Sequence, residues 1–423
     1  MTEQMNVPKL RFRDFSEGFS VTPLSEIISK LESGVSVNSE DVPPKSNEYG
    51  ILKTSAIYAG NFIPEQAKLI TDESELQRAK LNPKKDSIII SRMNTPALVG
   101  ESGYISKDYP NLFIPDRLWQ ATISTKYSTR WLSYLLTSPR TRFIISSKGT
   151  GTSNSMKNIS KPSFLSINVA TPALPEQQKI ASFLSKVDEK IALLTEKKDK
   201  LTEYKKGVMQ QLFNGKWEEQ DGRLTFIPPT LRFKADDGSE FPDWEEKKGA
   251  KLFASISNKD HNSDLPVLAI TQNQGAIPRS LIDYNISVAD TSVASYKVVE
   301  KGDFIISLRS FQGGIEYSEY TGICSPAYVI LRPKIDISDY FYKYYLKTYP
   351  FIVEMQKRLE GIRDGKIISY KYFSEISMPY PTKVEQDKIV CFLSALEQKI
   401  SLATSELEKA KEWKRGLLQQ MFV

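Results

Sequence analysis

The stretch KIASFLSKVDEKIALLTEKKDKLTEYKKGVMQQLF (Lys179–Phe213) occurs a second time as KIVCFLSALEQKISLATSELEKAKEWKRGLLQQMF (Lys388–Phe422). The surrounding segments, 176–213 and 385–422, align without a gap, and 18 of their 38 positions are identical. A shorter echo precedes each copy, as PKLRF (Pro8–Phe12) and PTLRF (Pro229–Phe233). Because an internal repeat sets the architecture, we expect two tandem units, each a domain of about 150 residues followed by one long helix.

Both copies carry apolar residues in steps of four and three, which is the period of a coiled-coil seam. The seam residues are Ile180, Leu184, Val187, Ile191, Leu194 and Leu201 in the first copy and Ile389, Leu393, Leu396, Ile400 and Leu407 in the second. Lys198, Lys205 and Lys414 interrupt the seam, where a lysine either fixes the register or reaches past the apolar stripe to water. Gly207 and Gly416 are compatible with a close helix crossing or with fraying of the last turn.

A single helix of this kind would leave its apolar stripe in water, so we expect the two copies to pair with each other. A helix of 38 residues is about 57 Å long. In a parallel pair the second domain would have to span that length, whereas antiparallel pairing lets it begin and end at the same end. The sequence therefore predicts an α+β fold in which an antiparallel pair of long coiled-coil-like helices separates two similar mixed α/β domains, related by a pseudo-two-fold axis. The expected boundaries are 1–174 for the first domain, 175–215 for the central helix, 216–383 for the second domain and 384–423 for the C-terminal helix.

Strand, loop, strand and helix follow one another in the same order in both domains. β-Branched runs predict the strands and longer apolar stretches predict the helices. The strands are expected at 86–93 and 118–124 in the first domain and at 302–310 and 327–333 in the second. The helical stretches are expected at 128–147, as one or two helices around Pro139, and at 339–359. Between the two halves, Asn214–Thr230 has the Gly, Pro and charged residues of a linker.

Composition narrows the chemistry that the chain can perform. Its 423 residues, 40% hydrophobic and 26% charged, are typical of a soluble protein with more than one domain, and no apolar run is long enough to predict a membrane span. The single histidine, His261, excludes a histidine triad, and Cys324 and Cys391 are too few for a cysteine zinc site. No phosphate-binding loop or methyltransferase tetrapeptide is found, so the sequence predicts no catalytic residue and no metal site.

The charge of the first domain points to a polyanionic partner. Between Leu76 and Leu174 there are 14 Lys and Arg residues against 4 Asp and Glu residues. A surface with this excess attracts nucleic acid, although a solvated basic face without a partner would have the same composition.

Two loops in each domain carry the residue types that contact DNA. One loop follows the first strand (91–103 and 307–318), and the other precedes the repeated helix (146–161 and 360–372). Arg pairs with the edge of guanine and Asn or Gln with that of adenine, while small, hydroxylated and basic residues suit phosphates. The base-reading candidates are Arg92, Asn94, Ser153, Asn154, Arg309, Ser310, Gln312 and Tyr370, and the phosphate candidates are Lys148, Thr150, Lys157, Arg363 and Lys366. Ordinary polar loops would have the same composition.

The repeated helices also carry a family resemblance. Their openings, LPEQQKIASFLSKVDEKI (Leu174–Ile191) and KVEQDKIVCFLSALEQKI (Lys383–Ile400), resemble the conserved helices of type I restriction–modification specificity subunits (HsdS). So do their closings, KKGVMQQLF (Lys205–Phe213) and KRGLLQQMF (Lys414–Phe422). The resemblance covers the whole chain, since two target-recognition domains alternate with two helices in the family's order. One departure is that the second opening lacks the proline of the PEQ motif.

The resemblance implies a subunit without catalysis of its own. Each recognition domain would bind one half of a bipartite target in double-stranded DNA, and the helix pair would set the gap between the halves. The implied partners are DNA methylation subunits (HsdM-like), which use S-adenosylmethionine, and restriction and translocase subunits (HsdR-like), which use ATP and Mg; this chain would bind no cofactor.

The resemblance places the chain in the cytoplasm of a bacterium or an archaeon. The helix pair would also dock the partner subunits. Lys190 and Lys399, like Glu203 and Glu412, recur outside the seam and are candidates for partner contact or for a solvated face. The alternative function is a coiled-coil scaffold that binds protein without DNA specificity.

Overall fold

The computed structural model describes residues 7–153, 156–220, 223–262, 264–282, 290–357 and 369–423. Its contacts divide the chain into two compact units, of which unit 1 comprises Met1–Thr195 with Thr404–Val423 and unit 2 comprises Glu196–Ala403. Two long helices, the central helix (Leu174–Leu212) and the terminal helix (Lys383–Met421), each contribute a segment to both units. Across the described residues, no helix is apolar over a sufficient length to cross a membrane.

Unit 1 is a mixed α/β domain built from short elements. Its strands are Ser20–Pro23, Ile28–Ser33, Gly50–Leu52, Ile57–Tyr58, Asn61–Phe62, Ala67–Leu69, Ser87–Ser91, Met93–Asn94, Ser102–Ile105, Leu112–Phe113, Leu118–Ile123, Thr150–Ser153, Met156–Asn158 and Asn168–Thr171. Its shorter helices are Leu24–Ile27, Glu73–Arg78, Thr129–Thr137, Pro139–Ser147 and Lys161–Leu165.

Unit 2 has a similar set of elements. Its strands are Lys216–Gln220, Arg223–Ile227, Glu245–Lys248, Phe253–Ile256, Leu268–Thr271, Gly275–Pro278, Lys297–Val299, Phe304–Ile306, Glu316–Tyr317, Gly322–Cys324, Val329–Pro333 and Ser377–Tyr380. Its shorter helices are Gly249–Leu252, Ser310–Gly313, Asp339–Tyr345, Tyr349–Gln356 and Tyr370–Glu375. The mixed α and β content of both units confirms the predicted fold class.

An antiparallel four-stranded sheet lies at the centre of each unit. Its strand order is 28–33, 118–123, 87–91, 102–105 in unit 1 and 253–256, 329–333, 304–306, 316–317 in unit 2. Both faces of the sheet are covered: Ile88 and Ile90 point into one apolar cluster and Ile89 into another. Phe304 and Ile305 divide between two clusters in the same way. Burial on both faces explains why the inner strands Ser87–Ser91 and Phe304–Ile306 are continuous apolar runs rather than alternating ones.

The predicted helices and three of the four predicted strands are confirmed. The fourth strand, expected at 302–310, covers only Phe304–Ile306, and Ser310 begins a short helix. The helical stretch at 128–147 divides at Ser138, where Pro139 begins the second helix at a position that needs no N–H donor. The predicted linker after the central helix is instead largely a hairpin, Lys216–Gln220 with Arg223–Ile227. Its Trp217 and Phe226 rings are 5.4 Å apart, so aromatic packing overrides the Gly, Pro and charge signal on which the linker prediction rested.

The segments of the two long helices run antiparallel within each unit, as chain connectivity predicts. In unit 1 the start of the central helix (Ile180, Leu184) shares a core cluster with the end of the terminal helix (Leu417). In unit 2 the end of the central helix (Leu212) shares a cluster with the start of the terminal helix (Leu393). The predicted seam residues are buried except for four that are half-buried, namely Ile191, Leu194, Leu201 and Ile400.

The two helix glycines do not mark a close helix crossing. A Cβ atom added at Gly207 or at Gly416 would meet no atom within 4 Å. The crossing interpretation is therefore wrong. The glycines lie in the final turns of their helices, where the penalty for glycine is smallest.

The PKLRF and PTLRF echoes attach each domain to its own helix. Arg11 Nε donates to Glu176 Oε1 at 2.7 Å in unit 1, and Arg232 Nε donates to Glu385 Oε1 at 2.8 Å in unit 2. Both carboxylates are buried, at the start of the central and the terminal helix respectively. A buried carboxylate requires such a partner, so the two short echoes and the two helix starts are parts of one repeated contact.

The glutamine that follows each of these glutamates makes a second repeated contact. Gln177 Oε1 accepts the Ser128 N–H at 2.9 Å, and Gln386 Oε1 accepts the Ser338 N–H at 2.8 Å. Each amide nitrogen donates to the carbonyl five residues earlier in the chain, at 2.8 Å. These bonds fix the entry of each long helix against the short helix of its domain. The EQ dipeptide of the repeat is thus accounted for by bonds within each unit.

Candidate DNA interface

The two loops singled out in the first domain come together in the structure. Strand Met93–Asn94 pairs with strand Met156–Asn158, so that Lys157 lies opposite Asn94. The Ile159 N–H donates to the Arg92 carbonyl at 2.9 Å and extends this pairing. A base-reading candidate and a phosphate candidate that are far apart in sequence therefore become neighbours in one small sheet.

The phosphate candidates of unit 1 share a hairpin. Thr150 and Lys157 lie on its two strands, and the exposed Lys148 ends the helix that leads into it. A Cβ added at Gly151 would lie 2.5 Å from the Met156 carbonyl oxygen, so the close approach of the strands requires glycine. The arrangement presents basic and hydroxyl groups on one supported element, which suits contact with a DNA backbone.

Several candidates fall beyond what the structure describes. These are the side chain of Ser153 and all of Asn154, Arg363 and Lys366. Their roles stay predictions.

The candidates of unit 2 occupy a short helix and its flank. Arg309 and Gln312 are exposed, at the start and within the turn Ser310–Gly313. Ser310 is buried and its hydroxyl accepts the Ser307 N–H at 2.9 Å, so in this structure Ser310 holds the turn in shape. The Tyr370 hydroxyl donates to the Phe253 carbonyl at 2.9 Å and is likewise engaged. Among the unit 2 candidates that the structure describes, Arg309 and Gln312 are thus the ones with exposed side chains.

A hairpin in unit 1 lies beside these loops and was not singled out from the sequence. Its strands, Ile57–Tyr58 and Asn61–Phe62, are joined by Ala59 and Gly60, both with positive φ (50° and 81°). Positive φ at both central residues gives the tight turn that matches the twist of a hairpin. Two β-strands of two residues each are too short for periodicity to reveal.

The corresponding hairpin in unit 2 presents three amide side chains. Strands Leu268–Thr271 and Gly275–Pro278 are joined by the exposed Gln272, Asn273 and Gln274. A Cβ added at Gly313 would lie 2.8 Å from Gln272 Nε2, so this turn abuts the short helix that carries Gln312. The sequence LAITQNQGAIP did contain a signal, namely two β-type runs around a turn with glycine.

A buried carboxylate ties hairpin to loop in unit 1. Glu101 Oε1 accepts the Gly60 N–H at 3.1 Å, and Glu101 Oε2 lies 3.6 Å from Arg142. Arg142 also donates to the Ala97 carbonyl at 3.0 Å. Burial lowers the pKa of the Arg142 guanidinium and the neighbouring Glu101 opposes that shift. The pair holds the loop that carries the base-reading candidates against the hairpin.

In unit 2 the buried carboxylate that ties the hairpin to the loop is that of Glu316. Its carboxylate pairs with Lys347 at 2.5 Å, and Lys347 also donates to the Gln272 carbonyl at 2.8 Å. Burial raises the pKa of the Glu316 carboxyl, and Lys347 acts against this rise. In both units, then, a buried carboxylate with a cationic partner supports a surface with amide and basic groups.

Among the described residues, no group of three or more His, Cys, Asp or Glu is arranged to hold a metal ion. His261 Nε2 lies 3.1 Å from the Tyr296 carbonyl oxygen. Cys324 is buried, which raises the pKa of its thiol to about 12, while Cys391 is exposed.

The long helices expose large apolar side chains at equivalent positions of the repeat. Leu193 corresponds to Leu402, and Tyr204 corresponds to Trp413. Their exposed fractions are 66%, 59%, 55% and 48% in that order. Unit 1 contains Leu193 with Trp413, and unit 2 contains Leu402 with Tyr204. Each unit therefore exposes one leucine and one aromatic ring from the paired segments.

Known proteins resemble this chain along its whole length. The family model of the type I restriction modification DNA specificity domain matches residues 17–203 and 242–412. The putative type I restriction enzyme MjaX specificity subunit of Methanocaldococcus jannaschii is 22% identical, over 98% of this chain and 95% of that protein. The type I restriction enzyme EcoEI specificity subunit of Escherichia coli is 26% identical, over 39% of this chain and 28% of that protein.

Solved structures share the fold. The type I restriction–modification S subunit from M. genitalium superposes with a TM-score of 0.57 and 16% identity, over 99% of both chains. A chain from a structure on complex assembly and conformational transition of the type I R-M system gives a TM-score of 0.54 and 16% identity, over 96% of this chain and 98% of that one. The two copies of the family model cover most of the sequence and coincide with the duplicated domains. The chain therefore belongs to the family of type I restriction modification DNA specificity domains.

Proposed function

We propose that this chain is the DNA sequence-specificity subunit of a type I restriction–modification complex and that each unit reads one half of a bipartite target in double-stranded DNA. The observation that carries the proposal is the duplication of a reading surface. Each unit sets a hairpin beside the loop after a buried strand, and each ties the two together with a buried carboxylate. Two readers on one chain fit a target in two parts.

The gap between the half-sites would be set by the two long helices, which run through both units. A helix rises by a fixed amount per residue, so a pair of helices of fixed length defines a fixed spacing. This chain would supply recognition alone. Methylation subunits with S-adenosylmethionine, and restriction subunits with ATP and Mg, would supply the chemistry in the cytoplasm, where the DNA is accessible.

The methylation subunits would dock on the exposed apolar positions of the helices. Solvent-exposed leucine and aromatic side chains are typical of the centre of an interface. Since the Leu193–Trp413 set in unit 1 corresponds to the Leu402–Tyr204 set in unit 2, the same partner surface fits each of them. The proposal is that one copy of the methylation subunit binds each unit. The recurring charges Lys190, Lys399, Glu203 and Glu412 would form the polar rim.

The test of the proposed function is selection from a randomised duplex library. The chain is co-expressed with its methylation subunit, incubated with the library at a stated salt concentration, and the bound DNA is sequenced, because affinity depends steeply on salt. The proposal predicts two short fixed blocks separated by a gap of constant length. A chain that selects no block above background would be a scaffold without DNA specificity.

A further inference from the structure

An open pocket of about 340 Å³ lies on unit 1, between the hairpin at 57–62 and the loop after strand Ser87–Ser91. Besides the hydroxyl residues Thr54 and Ser55, its lining combines an exposed aromatic ring, two amides and three apolar side chains. These residues are Tyr58, Gln66, Asn94, Ile57, Ile63 and Leu98. Of the six, only Asn94 was a base-reading candidate from the sequence.

The two amides keep part of their hydrogen-bonding capacity. Asn94 Oδ1 accepts the Thr95 N–H at 2.9 Å and Asn94 Nδ2 donates to Ser91 Oγ at 3.3 Å, which leaves one lone pair and one N–H. Gln66 Oε1 accepts the Ser55 hydroxyl at 3.0 Å, so the orientation of this amide is fixed as well. Within the part of the chain that the structure describes, Gln66 Nε2 has no partner. It therefore offers two N–H donors.

The aromatic ring of the pocket lies on a hairpin that is anchored to the central sheet. Tyr58 is 61% exposed, although it is a large aromatic residue, and the tight turn at Ala59 and Gly60 holds its backbone. The bond from Gly60 to the buried Glu101 anchors that turn to the central sheet. An exposed ring on a rigid hairpin loses little conformational entropy when it is covered by a ligand.

We propose that this pocket reads an A·T base pair in the half-site that unit 1 binds. The inference rests on the proposed function and names residues that determine its specificity. The free N–H and lone pair of Asn94 match adenine N7 and the adenine amino group, and the Gln66 N–H groups match thymine O4. Ile63 and Leu98, which are half-buried, supply the apolar contact that the thymine methyl group prefers.

The same chemistry discriminates against a G·C pair. Guanine presents two acceptors in the major groove, so one of them would face the lone pair of Asn94 Oδ1. Cytosine lacks the methyl group and would leave Ile63 and Leu98 without that contact. Lys157, which lies opposite Asn94 in the sheet, places a cation beside the pocket for the flanking phosphate.

The experiment repeats the library selection with Gln66→Ala and Asn94→Ala chains, each in complex with the methylation subunit. Gln66 is exposed, so its removal leaves the fold intact, whereas Asn94 also supports the loop. Glu65→Gln, at the adjacent exposed position outside the pocket, is the matched control. The half-site of unit 2 provides a second control within the same molecule.

The expected result is a loss of A·T preference at one position of one block, by about 5- to 150-fold, with the other block unchanged. The Glu65→Gln chain keeps both blocks. If the parent chain selects two blocks but Gln66→Ala leaves every position unchanged, or weakens all sequences equally, the pocket inference is overturned and the proposed function stands. If the parent chain selects no blocks, the proposed function itself fails.

Discussion

Lys205 of the central helix and Glu397 of the terminal helix form an ion pair at 2.5 Å. The Tyr344 hydroxyl donates to the same carboxylate at 2.9 Å, and burial raises the pKa of this phenol. In unit 1 the equivalent residues lie on the opposite helices. Lys414 of the terminal helix pairs with Asp188 of the central helix at 2.6 Å. Two of the lysines that interrupt the apolar seam therefore join the paired helix segments, once in each unit.

The Lys205–Glu397 pair should contribute modestly to stability. Its side chains are 20% and 39% exposed, and partly exposed pairs are worth about 0.5–1 kcal/mol. A double-mutant cycle with Lys205→Met and Glu397→Gln, followed by denaturant unfolding, should give a coupling energy of that size. Lys206→Met, at a neighbouring exposed position, should show no coupling with Glu397→Gln. Strictly additive effects of the Lys205 and Glu397 substitutions would contradict the assignment.

The Arg232–Glu385 pair should matter more, because Glu385 is fully buried. Arg232→Met leaves that carboxylate without its cation and should lower the free energy of unfolding by about 3 kcal/mol. Lys234→Met removes an exposed partner of Glu240 in the same segment and should lower it by well under 1 kcal/mol. Unfolding of both variants in denaturant, followed by tryptophan fluorescence, measures the difference. Equal destabilisation by the two substitutions would refute the role of the PTLRF motif as an anchor.

Base and phosphate contacts should separate in binding experiments. Lys157→Ala should weaken binding to all sequences alike and reduce the slope of log affinity against log salt by about 1. Arg309→Ala should instead relax one base position, at a cost of about 1–3 kcal/mol. Lys126→Ala, an exposed lysine outside the candidate loops, is the charge-matched control. If Lys157→Ala relaxed one base position and Arg309→Ala weakened binding to all sequences alike, the two assignments would be reversed.

Docking of the methylation subunit should depend on the exposed apolar positions of the helices. Leu193→Ser and Leu402→Ser in one chain should weaken binding of the methylation subunit at least tenfold, while the melting temperature stays unchanged, because both leucines are exposed. Gln398→Ala, at an exposed position of the terminal helix, should have no effect. Association is measured by analytical ultracentrifugation of the purified components. If the double variant bound the methylation subunit as tightly as the parent chain, the docking surface would lie elsewhere.

Much of the fold could be predicted because the repeated helix indicates two equivalent units in the chain. The 3.5-residue seam predicted the pairing, and chain connectivity predicted its direction. The role of the seam lysines could not be decided, because Asp188 and Glu397 lie outside the seam and are identified as partners only once the helices are packed. The same holds for Arg11 and Glu176, which are 165 residues apart.

The candidate site was only partly predictable. Asn94 and Lys157 were found from residue type, but their pairing depends on strands of two and three residues, too short to show periodicity. Tyr58 and Gln66 were missed because an isolated tyrosine or glutamine carries no motif. Their proximity to Asn94 is a consequence of tertiary structure alone.

Lengthening the two helices tests whether they set the gap between the two half-sites. One heptad inserted between Thr195 and Glu196, and another between Ala403 and Thr404, preserves the seam at the boundary of the two units and adds about 10 Å to each helix. Library selection with this chain should return the same two blocks, with a gap longer by up to about 3 base pairs. The same two blocks separated by an unchanged gap would show that the helices do not set the spacing.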